Sequence, residues 1–129
     1  LLIGCTGDVE GIVKKDTDVE DTFGPVITHD PVTDPQVYGQ DIWLEANVSD
    51  VDGAVWVVAV EYQPETASTW SDMPLKEVGG GLFQGRIKGS DVWSGGMRYF
   101  IRAIDDVGNE SCLPEECEVS PWHFAVVPN

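Results

Sequence analysis

Residues 41–48 read Asp-Ile-Trp-Leu-Glu-Ala-Asn-Val, and the alternation in this stretch indicates a β-strand. Every second side chain in it is apolar, and these side chains are Ile42, Leu44, Ala46 and Val48. The side chains between them are Trp43, Glu45 and Asn47. Because successive side chains of a strand point to opposite faces, this alternation predicts a strand with one buried and one solvated face.

The same alternation recurs on both sides of this strand, and Gly, Pro and Asp interrupt it about every 8 to 12 positions. The predicted strands are residues 25–29, 41–48, 54–62, 70–75, 82–88, 97–105 and 122–127. The proline within 70–75 places that strand at a sheet edge. Seven short strands and no helix of note predict an all-β, seven-stranded antiparallel sandwich over residues 25–129.

The phase of each strand predicts which side chains face the core. On the third strand Glu61 marks the outer face, and the expected inward side chains are Trp56, Val58, Val60 and Tyr62. On the sixth strand they are Met97, Tyr99, Ile101 and Ala103. The opposite face of these two strands carries Val57, Ala59, Phe100 and Ile104, with Arg98 and Arg102 between them. An apolar patch with a polar rim is typical of a partner-binding surface. The alternative is that the tether or a neighbouring domain covers this patch.

The segment Tyr99-Phe100-Ile101-Arg102-Ala103-Ile104-Asp105-Asp106-Val107-Gly108 resembles the penultimate strand of fibronectin type III and related bacterial immunoglobulin-like domains. Asp50-Val51-Asp52-Gly53 is similar to a turn that the bacterial domains carry before their third strand. The resemblance implies an immunoglobulin-like fold in which the Tyr99 hydroxyl bonds to backbone. It does not fix the subfamily, since Trp43 is out of phase with the early core tryptophan of eukaryotic type III domains. Such domains usually act as spacers or binding modules.

The composition restricts the partners. The 129-residue chain has a formal net charge of −16 and a sequence pI of about 4.1. That charge repels phosphates, so it argues against nucleic acid as a partner and against direct adsorption to an anionic membrane. A solvated acidic surface instead predicts a soluble monomer.

The start of the chain resembles the lipobox of bacterial lipoproteins, because Leu2-Ile3-Gly4 precedes Cys5. The resemblance implies cleavage of residues 1–4 as a signal-peptide remnant and lipidation of Cys5, which would anchor the protein to a membrane. Thr6 in place of a retention aspartate favours the outer membrane of the bacterial cell envelope. Residues 5–24 are acidic and aperiodic, which predicts a flexible tether. The alternative is an ordinary free cysteine.

The other two cysteines, Cys112 and Cys117, bracket four residues in the loop before the last strand. A small-loop disulfide is the favoured interpretation, and with Cys5 lipidated it accounts for the odd number of cysteines. The alternative is a zinc site, which would need His29 and His123 as further ligands.

Hard oxygen ligands gather in two turns that this fold brings to one pole. The candidate calcium ligands are Asp50, Asp52, Asp105, Asp106 and Asn109. Ca²⁺ takes about six to eight oxygen ligands, so the cluster suits it. The alternative is that these side chains cap their own turns through bonds to backbone. Apart from this possible Ca²⁺, no cofactor is expected.

The candidate contacts for a protein or a glycan come from two surfaces. Phe100 and Ile104 belong to the apolar patch described above, and the exposed tryptophans Trp43, Trp70 and Trp93 could stack on sugar rings. The alternative is that Trp70 and Trp93 close the ends of the sandwich. The sequence lacks a Gly-x-Ser-x-Gly elbow, and a domain of this size predicts no deep cleft, so we expect no enzymatic activity. The leading hypothesis is a non-catalytic, membrane-tethered interaction or spacer domain. The alternatives are a carbohydrate-binding module and a calcium-dependent adhesion domain.

Overall fold

The computed structural model describes residues 23–51 and 53–129. The strands are β1 (Val26–Thr28), β2 (Gln36–Val37), β3 (Ile42–Ser49), β4 (Val55–Pro64), β5 (Ser71–Pro74), β6 (Lys76–Gly79), β7 (Leu82–Ile87), β8 (Met97–Asp105), β9 (Glu110–Leu113), β10 (Trp122–Phe124) and β11 (Val126–Val127). Two short 3₁₀ turns complete the list, Gly89–Asp91 and Cys117–Val119. None of the described residues belongs to a helix long and apolar enough to cross a bilayer.

The strands form two antiparallel sheets. In the first sheet the order is β1-β3-β7-β6. In the second sheet β5, β4 and β8 lie side by side, and both β9 and β10 pair with β8. A short parallel pair, β2 with β11, lies beside them. This is an all-β, immunoglobulin-like sandwich, as the sequence predicts.

All seven predicted strands are present, and the structure adds detail to them. It contains three strands that the sequence analysis did not identify, β2, β6 and β9, each of four residues or fewer. The predicted last strand is divided, because β10 pairs with β8 while β11 crosses to β2. Strand β5 pairs with β4 alone and forms the expected sheet edge.

The core lies between the sheets and follows the predicted alternation. From the first sheet it takes Ile42, Leu44, Ala46, Val48, Phe83 and Ile87, all buried. From the second sheet it takes Val58, Val60, Tyr62, Met97, Tyr99, Ile101 and Ala103. Side chains from both inner faces fill the space between the layers, which is how a sandwich buries its apolar area.

Trp56 departs from the prediction, since its side chain is 70% exposed rather than buried. The pairing of β4 with β8 shifts register between Val55 and Val57, which marks a β-bulge. A bulge inserts one extra residue and reverses the phase of the strand before it. Val55 packs against the core in place of Trp56.

Several predictions fall on residues that the structure does not describe. The signal-peptide remnant 1–4, lipidated Cys5 and most of the tether lie outside the described residues, as does Asp52.

Candidate functional site

The outer side of the first sheet carries a row of polar side chains around one tryptophan. We call this surface the Trp43 face, and it consists of Thr28, Trp43, Glu45, Asn47, Gln84 and Arg86. These residues share a face because the core positions of β3 alternate with them. Register places Trp43 opposite Arg86 and Glu45 opposite Gln84. The sequence predicts that Trp43 points outward, and its side chain is 66% exposed.

An ion pair supports the Trp43 ring on one side. The Arg86 guanidinium lies 5.9 Å from the ring centroid, within cation–π range. Asp41 Oδ2 accepts a hydrogen bond from Arg86 at 2.5 Å, and Asp41 Oδ1 accepts one from the Gly89 amide at 2.7 Å. The Gly89 amide and then the guanidinium lower the pKa of Asp41. The carboxylate therefore stays charged and keeps Arg86 beside the indole.

Two shallow depressions, each of about 210 Å³, adjoin Trp43. One is lined on its far side by Thr28, His29 and Asn47, and the other by Gln84. Trp43, Leu44 and Glu45 line both. Gln84 Nε2 donates to Glu45 Oε2 at 3.1 Å, which fixes the amide and the carboxylate relative to each other.

His29 lies at the edge of this face and is tied to the core. Its Nδ1 donates to the Glu45 carbonyl at 2.6 Å, and its Nε2 accepts from the Tyr99 hydroxyl at 2.8 Å. Burial lowers the pKa of His29, against the opposing effects of the Glu45 carbonyl and nearby carboxylates. The imidazole therefore favours its neutral form.

The other predicted contact residues lie on the opposite sheet, so they share no platform with Trp43. Trp70 packs its edge against Phe100, with ring centroids 5.0 Å apart at 74°, and Arg98 lies 5.6 Å from the Trp70 ring. Phe100 is only 5% exposed, and Ile104 is partly buried. Trp70 therefore covers part of the predicted apolar patch, and Phe100 is not open to a partner in this structure.

The disulfide-linked segment lies beside Trp70 on the same side of this sheet. Cys112 and Cys117 form a disulfide with Cα atoms 5.5 Å apart, as predicted. Together with Trp70 and Phe100 they line an open groove of about 330 Å³. Oxidised sulfurs do not ligate zinc, so the structure rules out the zinc alternative. The two histidines are engaged elsewhere, His29 as described above and His123 through Nδ1 to Glu65 at 3.0 Å.

The predicted acidic pole is present in part. Carboxylate oxygens of Asp50, Asp105 and Asp106 lie within 4.8 Å of one another. Asp105 is buried, and its Oδ1 accepts the Val107 amide at 3.0 Å and the Asn109 amide at 2.8 Å. Its Oδ2 accepts Asn109 Nδ2 at 3.0 Å. Asp105 and Asn109 therefore cap the β8–β9 turn, as the alternative interpretation holds.

Sequence reasoning identified Trp43 but not its neighbours. Arg86 and Gln84 are remote from it in sequence, and only the β3–β7 register brings them alongside. Asp41 precedes the strand and gives no sequence signal for its bond to Arg86.

No protein-family model matches this sequence, and no curated protein matches it. Among solved structures, it is similar to an endo-β-1,4-mannanase from Thermotoga petrophila, with a TM-score of 0.57 and 13% sequence identity. The match covers 85% of this chain and 21% of the mannanase, so this chain spans about one fifth of that enzyme. It also aligns with the titin M3 domain at a TM-score of 0.47 and 15% identity, over 81% of this chain and 98% of that one. At 13% identity the likeness to the mannanase shows the fold alone.

Proposed function

We propose that this protein is a non-catalytic binding domain of the bacterial cell envelope, anchored through a lipid on Cys5. The observation that carries the binding role is the Trp43 face, where an indole 66% exposed stands among fixed polar side chains. A large exposed ring in such a setting suits ligand contact. The anchor is supported by the lipobox-like Leu2-Ile3-Gly4-Cys5.

The arrangement of the strands is consistent with a lipid anchor at one end of the domain and a binding surface around Trp43. Strand β1 begins at Val26, which pairs with Ser49 at the end of β3. Trp43 lies on β3, six residues from Ser49, which corresponds to roughly 20 Å along the strand. A tether that enters at Val26 would therefore leave the Trp43 indole toward the end of β3 that is farther from the bilayer.

A non-catalytic role is supported by what surrounds the two histidines. His29 bonds to a tyrosine hydroxyl and a backbone carbonyl, and His123 bonds to a carboxylate. Neither arrangement supplies the nucleophile–histidine pair of a hydrolase. The likeness to a mannanase covers one fifth of that enzyme and gives no reason to assign its activity here.

Mass spectrometry of the native protein tests the anchor. We expect a polypeptide that begins at Cys5 and carries acyl chains, and we expect Cys5→Ser to move the protein from the membrane fraction to the soluble fraction. A native chain that retains Leu1 to Gly4 with an unmodified thiol would overturn the assignment to the envelope.

A calcium-dependent adhesion domain is the second candidate function. It is favoured by the convergence of three carboxylates, those of Asp50, Asp105 and Asp106, at one pole. Thermal melts with Ca²⁺ against Mg²⁺ test it.

A further inference from the structure

Resting on the proposed binding role, we propose that the ligand of the Trp43 face is a neutral hexopyranose polysaccharide that stacks one sugar ring on Trp43. Three features carry this inference: an oriented open ring, hydrogen-bonding groups beside it, and the charge of the protein.

The indole is held in place before any ligand arrives. Arg86 lies 5.9 Å from the ring centroid and is itself held by Asp41, which also binds the Gly89 amide. The face of an aromatic ring carries partial negative charge and attracts the C–H bonds on the flat side of a pyranose. Because the ring is already oriented, stacking costs little conformational entropy.

The groups beside the ring match the hydroxyls of a sugar, which both donate and accept hydrogen bonds. Glu45 offers carboxylate oxygens, while Gln84 and Asn47 each offer an amide oxygen and an NH₂ group. The Glu45–Gln84 hydrogen bond of 3.1 Å presets two of these groups. The two depressions that Trp43 lines, each of about 210 Å³, extend the surface beyond one ring, which suits a chain of sugars rather than a single one.

Charge and polarity select among the possible partners. A net charge of −16 repels polysaccharides that contain uronic acids or sulfate. A protein partner would need an apolar interface core, whereas the outward-facing side chains of β3 and β7 are polar apart from Trp43 and Leu82, which lies opposite Asn47. A neutral polyol satisfies both the ring and the polar groups.

The test is affinity electrophoresis of the full chain in gels that contain one polysaccharide each. The probes are glucomannan, a soluble β-1,4-glucan, dextran and polygalacturonate. We expect at least one neutral polysaccharide to retard the protein, and Trp43→Ala to weaken that affinity by roughly tenfold or more. The matched control is Trp56→Ala, because Trp56 is 70% exposed on the second sheet. It should bind like the wild type, and circular dichroism checks the fold of both variants.

Three outcomes would overturn the inference. They are unchanged mobility in every neutral polysaccharide, retardation by polygalacturonate alone, and equal loss of binding in the Trp43→Ala and Trp56→Ala variants. The assay does not depend on the lipid, so its failure is distinct from failure of the anchor. Acylated Cys5 together with no retardation would leave an anchored domain whose ligand is not a neutral glycan.

Discussion

Tyr99 shows how one side chain joins the two sheets. Its hydroxyl accepts the Val32 amide at 2.9 Å and donates to His29 Nε2 at 2.8 Å. The ring is fully buried against the core. Burial raises the pKa of Tyr99 to about 12, so the hydroxyl keeps its proton. The predicted bond from this tyrosine to backbone is present, and its partner lies far upstream, in the segment after β1.

Replacing Tyr99 by phenylalanine should destabilise the domain by about 1–3 kcal/mol, because the Val32 amide and His29 Nε2 lose their partner in a partly buried position. Urea denaturation followed by tryptophan fluorescence measures the change. Tyr38→Phe is the matched control, since Tyr38 is 44% exposed, and its effect should stay within about 0.5 kcal/mol. Equal effects of the two variants would contradict the prediction.

His29 should make stability fall as the pH drops below 6.5. Its pKa in the folded protein lies below the ordinary value of 6.5, mainly because of burial, so the unfolded chain binds the proton more readily. The contribution of neutral His29 to the free energy of unfolding is complete above pH 6.5 and is lost as the pH falls toward the pKa of His29 in the folded protein. Urea midpoints measured between pH 7 and 5 should show this slope, and His29→Gln should flatten it. A slope that is unchanged in His29→Gln would contradict the assignment.

The segment after β9 shows how a disulfide constrains a short loop. The disulfide between Cys112 and Cys117 closes a short loop that ends in the 3₁₀ turn Cys117–Val119. The two cysteines line the groove over Phe100 with Trp70. The disulfide-linked segment and Trp70 together explain why Phe100 is buried, although it lies on the outer face of β8.

Removal of the disulfide by the paired change Cys112→Ser and Cys117→Ser should cost about 2 kcal/mol or less, because the loop it closes is short. Urea denaturation of the oxidised protein against the double variant measures this cost. Adding a reductant to the wild type should reproduce the loss, and adding it to the double variant should have no effect. A reductant effect in the double variant would point to another origin.

The turns at the acidic pole give a test for calcium that leaves the turn cap in place. If Ca²⁺ binds there, millimolar Ca²⁺ should raise the melting temperature and equal Mg²⁺ should raise it less, since Ca²⁺ accepts more and looser oxygen ligands. Asp106→Asn should abolish the rise, because Asp106 is exposed and its loss spares the capping bonds of Asp105. Asp34→Asn, at a remote exposed aspartate, serves as the control. The same rise in wild type and Asp106→Asn would exclude the site.

The whole molecule has two distinct ends. The described chain enters next to Ser49, near the turns that carry Asp50 and Asp105, while Trp43 lies toward the opposite end of β3. The two sheets also differ on their outer sides, since Trp43 is 66% exposed and Phe100 is 5% exposed. Trp43 and the candidate calcium pole therefore lie toward opposite ends of β3, so Trp43→Ala and Asp106→Asn test the two sites separately.

Local patterns in the sequence predict the fold class, the phase of β3 and β8 and the exposure of Trp43, because period-2 alternation is a local property of the chain. It also indicated the disulfide from the spacing of Cys112 and Cys117.

Other features arise only when the strands pair. The bulge that exposes Trp56 exists in the pairing of β4 with β8, and the register of β3 with β7 sets Arg86 beside Trp43. The assignment of Trp43 and Trp70 to opposite sheets follows from strand order. These features depend on contacts between residues far apart in sequence, and no local pattern encodes which strand, in which register, a given strand will meet.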